Sequence, residues 1–236
     1  MAERAKQVCV IAGAGAGNGA AFARRFAAAG YRCALLARST GAISRIAREV
    51  PGSLAISCDT GSASSVAGAF RRIRHELGPP TTLIYNAAAR RFADLDGTTP
   101  EVFEEAWRTG TLGAFLCSRE AVPGMRAAGS GNLVFVGATA SLRGGAGFLA
   151  FASAKAALRS LAQSLARDFG PLGIHVSHLV VDGVIDMPLT RERMPDRPDA
   201  LFMAPDAIAE TAFQVTLQPR TAWTFELDLR PAAERW

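Results

Sequence analysis

The hydrophobic and polar positions of the chain fall into two alternating patterns. Short apolar runs at 7–12, 32–37, 54–58, 82–85, 132–136, 174–181 and 223–229 predict β-strands. Between them, 20–29, 41–50, 62–77, 100–125, 151–169 and 205–215 carry apolar residues at helical spacing. Turn formers close these stretches: Gly30, then Pro51-Gly52, Gly78-Pro79-Pro80 and Gly170-Pro171. The long helix at 100–125 is interrupted near Gly110 and Gly113. Strand–helix alternation means βαβ units, hence an α/β fold with a doubly wound parallel sheet and helices on both faces. The unbroken apolar strand Leu133-Val134-Phe135-Val136 agrees with a sheet covered on both sides. One segment, 187–204, has no clean period and is rich in proline and charge. At about 18 residues it exceeds most connections and reads as a lid over a binding site. With no repeat or linker, residues 1–236 form one domain.

Composition narrows the classes. A hydrophobic fraction of 49% excludes disorder, and no apolar run approaches a membrane span. The start, Met1 to Gly15, sets charges directly before a short apolar strand and reads as lacking a secretory leader. Cys9, Cys33, Cys58 and Cys117 show no paired spacing, which fits buried thiols and a cytoplasmic location. The net charge of +5 comes almost wholly from arginine, because Lys6 and Lys155 are the only lysines. The arginines are scattered among acids rather than massed with aromatics, so no nucleic-acid partner is expected. His75, His175 and His178 offer no metal spacing, and the last two lie three apart on a strand, facing opposite sides.

The first strand runs into Gly13-Ala14-Gly15-Ala16-Gly17-Asn18-Gly19 and directly into a helix. Glycines there let the backbone turn tightly and approach a pyrophosphate, which then sits on the helix's free N–H groups. Strand, loop and helix in that order are the context in which such a loop binds a dinucleotide. The second strand ends in Leu36-Ala37-Arg38-Ser39, with no carboxylate between Arg4 and Glu49. An acid near that strand end would hold the ribose 2′-hydroxyl of NAD, whereas Arg38 suits a 2′-phosphate. NADP(H) is therefore expected ahead of NAD(H), with a solvated surface role for Arg38 as the alternative.

These residues resemble the short-chain dehydrogenase/reductase family over essentially the whole chain. Gly13, Gly17 and Gly19 match its GxxxGxG, with Ala12 where threonine is usual. Cys58-Asp59-Thr60 resembles the third-strand end whose Asp binds adenine, and Tyr85-Asn86-Ala87-Ala88 its Asn-Asn-Ala-Gly segment. Phe151-Ala152-Ser153-Ala154-Lys155 stands where the family has Tyr-x-x-x-Lys, and Asp182-Gly183-Val184-Ile185 where it has Pro-Gly. The resemblance implies a Rossmann-type fold, a small-molecule substrate, and a homodimer or homotetramer built on the long helices and the terminal segment.

The resemblance also marks departures. The family's tyrosine, which donates or accepts the proton, falls on Phe151; its serine falls on Ala138 and its asparagine on Gly110. Lys155 alone is kept, in a role of holding the ribose hydroxyls. Eight residues separate Ile174 from Gly183 where the family has seven, which predicts a bulge or register change. Losing a positioned general acid costs about 10²–10⁴-fold. Three readings follow: an oxidoreductase acting on C=O or C=N with another proton source, a non-catalytic NADP(H)-binding sensor or subunit, and a non-redox lyase-type enzyme. For the first, Thr139 or Ser141 takes the serine's role, and Tyr85, Asp182 and Asp186 are candidate proton carriers. Phe148, Phe151 and Met187 are expected to line an apolar substrate pocket.

Overall fold

The computed structural model describes residues 7–234; Lys6 and the amino-terminal residues read above for a leader lie outside them. Seven strands form one parallel sheet in the order β3-β2-β1-β4-β5-β6-β9. Its members are β1 (Val8–Ala12), β2 (Arg32–Ala37), β3 (Leu54–Ser57), β4 (Thr82–Tyr85), β5 (Gly131–Val136), β6 (Ile174–Val181) and β9 (Glu226–Leu229). The winding direction reverses between β1 and β4, and that is where an open α/β sheet leaves a crevice at its carboxyl edge.

Helices cover both faces. One apolar layer packs α3 (Ala63–Glu76), α5 (Gly113–Ala128) and α6 (Leu149–Phe169) on the sheet through Phe70, Ile73, Met125 and Leu158. The other packs α1 (Asn18–Ala28), α2 (Thr40–Glu49) and α8 (Pro205–Thr216) through Phe22, Phe26, Ile43 and Phe213. Both faces of each central strand are thus buried, which is why their sequences do not alternate. Local chemistry sets several boundaries. Ser62 caps α3 by accepting from Ser65 N, and Thr99 caps α4 (Pro100–Trp107) by accepting from Val102 N, with Pro100 in the first turn. No described helix is long and apolar enough to cross a membrane. The four cysteines are free and buried.

Three expectations change, and a fourth, the interrupted long helix, is borne out and made specific. The segment 187–204 is not irregular: it folds as α7 (Pro188–Arg193), a 3₁₀ turn at Asp199–Leu201 and β8 (Phe202–Met203), which pairs with β7 (Val184–Ile185). Arg191 organises it, bonding Asp186 at 2.7 and 2.8 Å, pairing with Asp199, and lying 4.0 Å over the Phe202 ring. Strand β6 shows no bulge; it pairs residue by residue with β5 from Ile174 to Leu179, so the extra residue falls beyond the strand. The interruption of the long helix is a π-helical turn at Arg108–Leu112 between α4 and α5. The last strand is shorter than 223–229, because Trp223 stacks on His175 (4.7 Å) and Thr224 O meets His175 Nε2 at 2.9 Å.

Candidate functional site

The loop between β1 and α1 is built for close approach. Gly13 has φ +87°, and a Cβ there would lie 2.4 Å from Ala87 N. Asn86 holds the loop from β4, donating Nδ2 to Gly13 O at 2.8 Å while its own N–H reaches Ala12 O. Gly15, by contrast, has nothing within 4 Å of a built Cβ and faces open space. Behind it, Asn18 begins α1 at 4% exposure, and neither of its amide atoms has a partner. A buried amide left unpaired costs about 1–3 kcal/mol. The first turn of α1 carries no acid and no side-chain cap, so its positive end points free into the crevice.

A cleft of about 290 Å³ opens there. It is bordered by Gly13, Gly15, Gly17, Asn18 and Gly19, and across from them by Arg38, Thr60, Asn86 and Ala87. Those sequence-predicted residues are brought together. Ser39 is exposed at the start of α2 and caps nothing. Asp59 is exposed too, with Oδ1 accepting from Gly61 N at 3.0 Å, and lies off the cleft wall. Gly183 packs against Met203 and Pro231, while Ile185 sits in β7 near Gly17. Arg38 is mostly exposed and 3.4 Å from Glu105.

Lys155 projects from α6 and is 4% exposed. Its ammonium donates to Val136 O at 2.6 Å and lies 5.8 Å from the centre of the Phe151 ring, one turn earlier on the same helix face. Burial, with a smaller contribution from the Arg90 charge, pulls its pKa down to about 7. One turn further on, Arg159 fixes α6 to the sheet edge by bonding both oxygens of Glu226 at 2.6 and 2.7 Å. Glu226 also meets His178 Nδ1 at 2.9 Å. Burial lowers the His178 pKa to about 4 against the pull of that carboxylate, so the contact is a neutral imidazole donating Nδ1–H rather than an ion pair.

The other proton-carrier candidates are held elsewhere. Thr139 donates to Asp182, which also lies 3.4 Å from Arg230. Ser141 Oγ accepts from Ala138 N at 3.1 Å and closes a 3₁₀ turn. Tyr85 is fully buried with its hydroxyl donating to Thr109 O, and burial raises its pKa well above the ordinary value. Asp186 is bound by Arg191, which lowers its pKa. Gly110 packs tightly on α6: a Cβ there would stand 3.0 Å from Ala154 Cβ.

Two features were not read from sequence. Arg90 borders the cleft beside Met187, and Phe92 joins Phe148 and Phe151 in an aromatic group with centroids 4.9 and 5.5 Å away. Arg90 was hidden among 24 arginines, and its only signal was its place just after Asn86-Ala87-Ala88-Ala89.

A parallel sheet with a glycine loop at its reversal point and a helix N-terminus behind it is a nucleotide-binding α/β architecture. The chain belongs to the short chain dehydrogenase family, whose profile matches residues 7–198. It is 31% identical over 221 residues to a 2-(R)-hydroxypropyl-CoM dehydrogenase of Xanthobacter autotrophicus, covering 89% of this chain and 88% of that one. It is 30% identical over 187 residues to a bovine 3-oxoacyl-[acyl-carrier-protein] reductase, covering 79% and 78%. Among solved structures, a short-chain dehydrogenase from Rhodopseudomonas palustris matches with TM-score 0.81 and 34% identity over 95% of this chain and 98% of that one. An alcohol dehydrogenase from Thermococcus sibiricus, complexed with 5-hydroxy-NADP, matches with TM-score 0.86 and 25% identity over 98% of each.

Proposed function

We propose that this oxidoreductase uses NADP(H) to transfer a hydride to or from a small organic C=O or C=N substrate, without a tyrosine as proton source. The observation that carries the reading is the unsatisfied Asn18 amide, buried at the foot of a glycine loop and a free helix N-terminus. Such donors fit a pyrophosphate, and the open face of Gly15 leaves room for it. Arg38 at the end of β2 suits a 2′-phosphate, and the cofactor complexed in the Thermococcus sibiricus relative is an NADP derivative.

When bound, the cofactor supplies or accepts the hydride. The chain's own residues orient and exclude. Lys155 would hold the ribose hydroxyls, positioned by Val136 O and by the Arg159–Glu226 clamp on the same helix. Phe151, which has no proton to exchange, covers Lys155 and presents an apolar face to the substrate. Thr139 and Ser141 remain in turn-holding roles, which favours a substrate that needs no acid in the hydride step, such as a cationic C=N. Segment 187–204 acts as the lid, with Met187 against Gly17. Exposed Phe103, Trp107 and Phe115 on α4 and α5 support a homodimer or homotetramer, which light scattering after gel filtration would check.

The test is titration of intrinsic tryptophan fluorescence with NADPH and NADH, followed by turnover of ketones and cyclic imines. Saturable NADPH quenching and imine reduction are expected. Binding without turnover of any acceptor would favour a non-catalytic nucleotide sensor, and no binding of either nucleotide would overturn both.

A further inference from the structure

Arg90 is an anomaly in the cleft. It follows β4 and the Asn86 segment, borders the cleft beside Ala88 and Met187, and has no carboxylate within 4.0 Å among the described residues. Its Nη1 lies 3.9 Å from the Met187 sulfur, a contact too weak to balance a guanidinium. The side chain is exposed to solvent on the open side of the cleft. Even so, enough protein crowds it that lost hydration lowers its pKa. It also sits close enough to Lys155 for the two charges to repel, which is one reason the lysine's pKa falls. Arg90, at the cleft, and Lys155, buried behind it, thus lie close enough to interact with no carboxylate between them.

The same end carries an apolar surface. Phe92 and Phe148 are 48% and 40% exposed and pack on Phe151, with centroids 4.9, 5.5 and 6.4 Å apart. The bridge from Ala93 to Phe148 holds the Arg90–Phe92 stretch against the start of α6. Exposed aromatic surface beside an uncompensated cation is complementary to a ligand with an apolar body and an anionic head.

We propose that Arg90 receives the carboxylate of the substrate, whose aromatic or extended apolar body lies on Phe92, Phe148 and Phe151. This rests on the oxidoreductase reading for the word substrate, whereas the anion site itself needs no nucleotide. Placing a carboxylate there gives Arg90 a counter-ion and fixes which end of the substrate faces Lys155. Arg90 is accordingly a specificity-determining residue.

The probes are 2-naphthoate and its uncharged amide, 2-naphthamide, titrated by calorimetry into the full-length protein with and without saturating NADPH. Wild type is expected to bind naphthoate at least tenfold more tightly than naphthamide in both conditions. Arg90→Met should weaken naphthoate by roughly 10–100-fold, the range of a lost charge-assisted hydrogen bond, and leave naphthamide and NADPH within twofold. Arg90→Lys keeps the preference for the anion, which separates charge recognition from a folding defect. Arg91→Met, whose parent side chain faces Glu105 at 3.9 Å, should leave both probes unchanged. Equal binding of the two probes to wild type, or no binding of naphthoate, would overturn the proposal. So would loss of NADPH affinity in Arg90→Met with the naphthoate preference intact, since Arg90 would then serve the cofactor. Failure of wild type to bind either nucleotide would overturn the oxidoreductase reading instead, and the nucleotide-free titration would still decide the anion site.

Discussion

Lys155→Met should make the free protein more stable and less able to hold a nucleotide. The lysine's pKa falls from 10.5 to about 7 because its ammonium is buried and, to a smaller extent, because it faces the Arg90 charge; the neutral His178 on β6 adds none. A folded-state pKa below the unfolded one means that unfolding takes up protons, so stability rises with pH through the folded value. At about 1.4 kcal/mol per pH unit once the native lysine is neutral, wild type should gain about 1.5 kcal/mol between pH 7 and 8.5. The variant should lack that slope. His178 contributes a rise of its own between about pH 4 and 6.5, below this window. The four buried cysteines, with raised pKa values, oppose it from about pH 8 upward, where the unfolded thiols begin to ionise, so the gain of about 1.5 kcal/mol is the Lys155 contribution and is read as the difference between wild type and variant. Both contributions persist in the variant, so the difference between the two proteins isolates Lys155. At pH 7 the relieved burial is partly offset by leaving Val136 O unpaired, about 1–3 kcal/mol. A net gain of about 2 kcal/mol is expected, or roughly 4–8 °C in Tm for a chain of this size. Urea unfolding at pH 6.5 to 8.5, with and without NADPH, reads both effects, because a ligand of the native state adds RT ln(1 + [L]/Kd). Wild type should be stabilised by NADPH at least tenfold more effectively in apparent Kd. Parallel pH slopes for wild type and variant would refute the reasoning.

The glycine loop gives a paired test: Gly13→Ala, strained at φ +87° and against Ala87 N, should lose about 2–4 kcal/mol of stability in urea. Gly15→Ala should unfold like wild type yet bind NADPH at least tenfold more weakly by fluorescence. Arg38→Ala should weaken NADPH about tenfold and leave NADH unchanged; equal effects on both would remove the 2′-phosphate role. Phe151→Tyr should raise ketone reduction by about 10²-fold or more in an NADPH-oxidation assay, the scale of a restored general acid. Unchanged ketone turnover there would show that the phenol is not the missing component.

Local chemistry made much of this molecule legible in one dimension. The strands β2 and β4 fall where the apolar runs place them, because both faces of each are buried and their polar residues, Arg32 and Thr82, stand only at the first position; β6 falls where it was placed too, although His175, Ser177 and His178 are buried within it. The glycine loop was legible for a similar reason: a tight turn from strand into helix can be written only with residues lacking a Cβ, as Gly13 against Ala87 shows. Segment 187–204 was not. Its order comes from Arg191 reaching Asp186, Asp199 and Phe202 at once, and from the two-residue pairing of β7 with β8, neither of which leaves a period in sequence.

The site divides in the same way. Sequence determined which chemical groups are present: a phenyl ring at position 151, a lysine one turn later, an arginine rather than an acid after β2. Tertiary structure decided what those groups can do. Lys155 has a pKa near 7 only because packing of α6 on the sheet buries it, with a smaller contribution from the nearby Arg90 charge. Thr139, Ser141, Tyr85 and Asp186 are occupied by partners far away in sequence or in their own turns. Arg90 is one of many arginines until β4 delivers it to the cleft. Residue type is fixed by covalent structure, whereas pKa, solvation and partner are properties of an environment that exists only after distant segments have packed together.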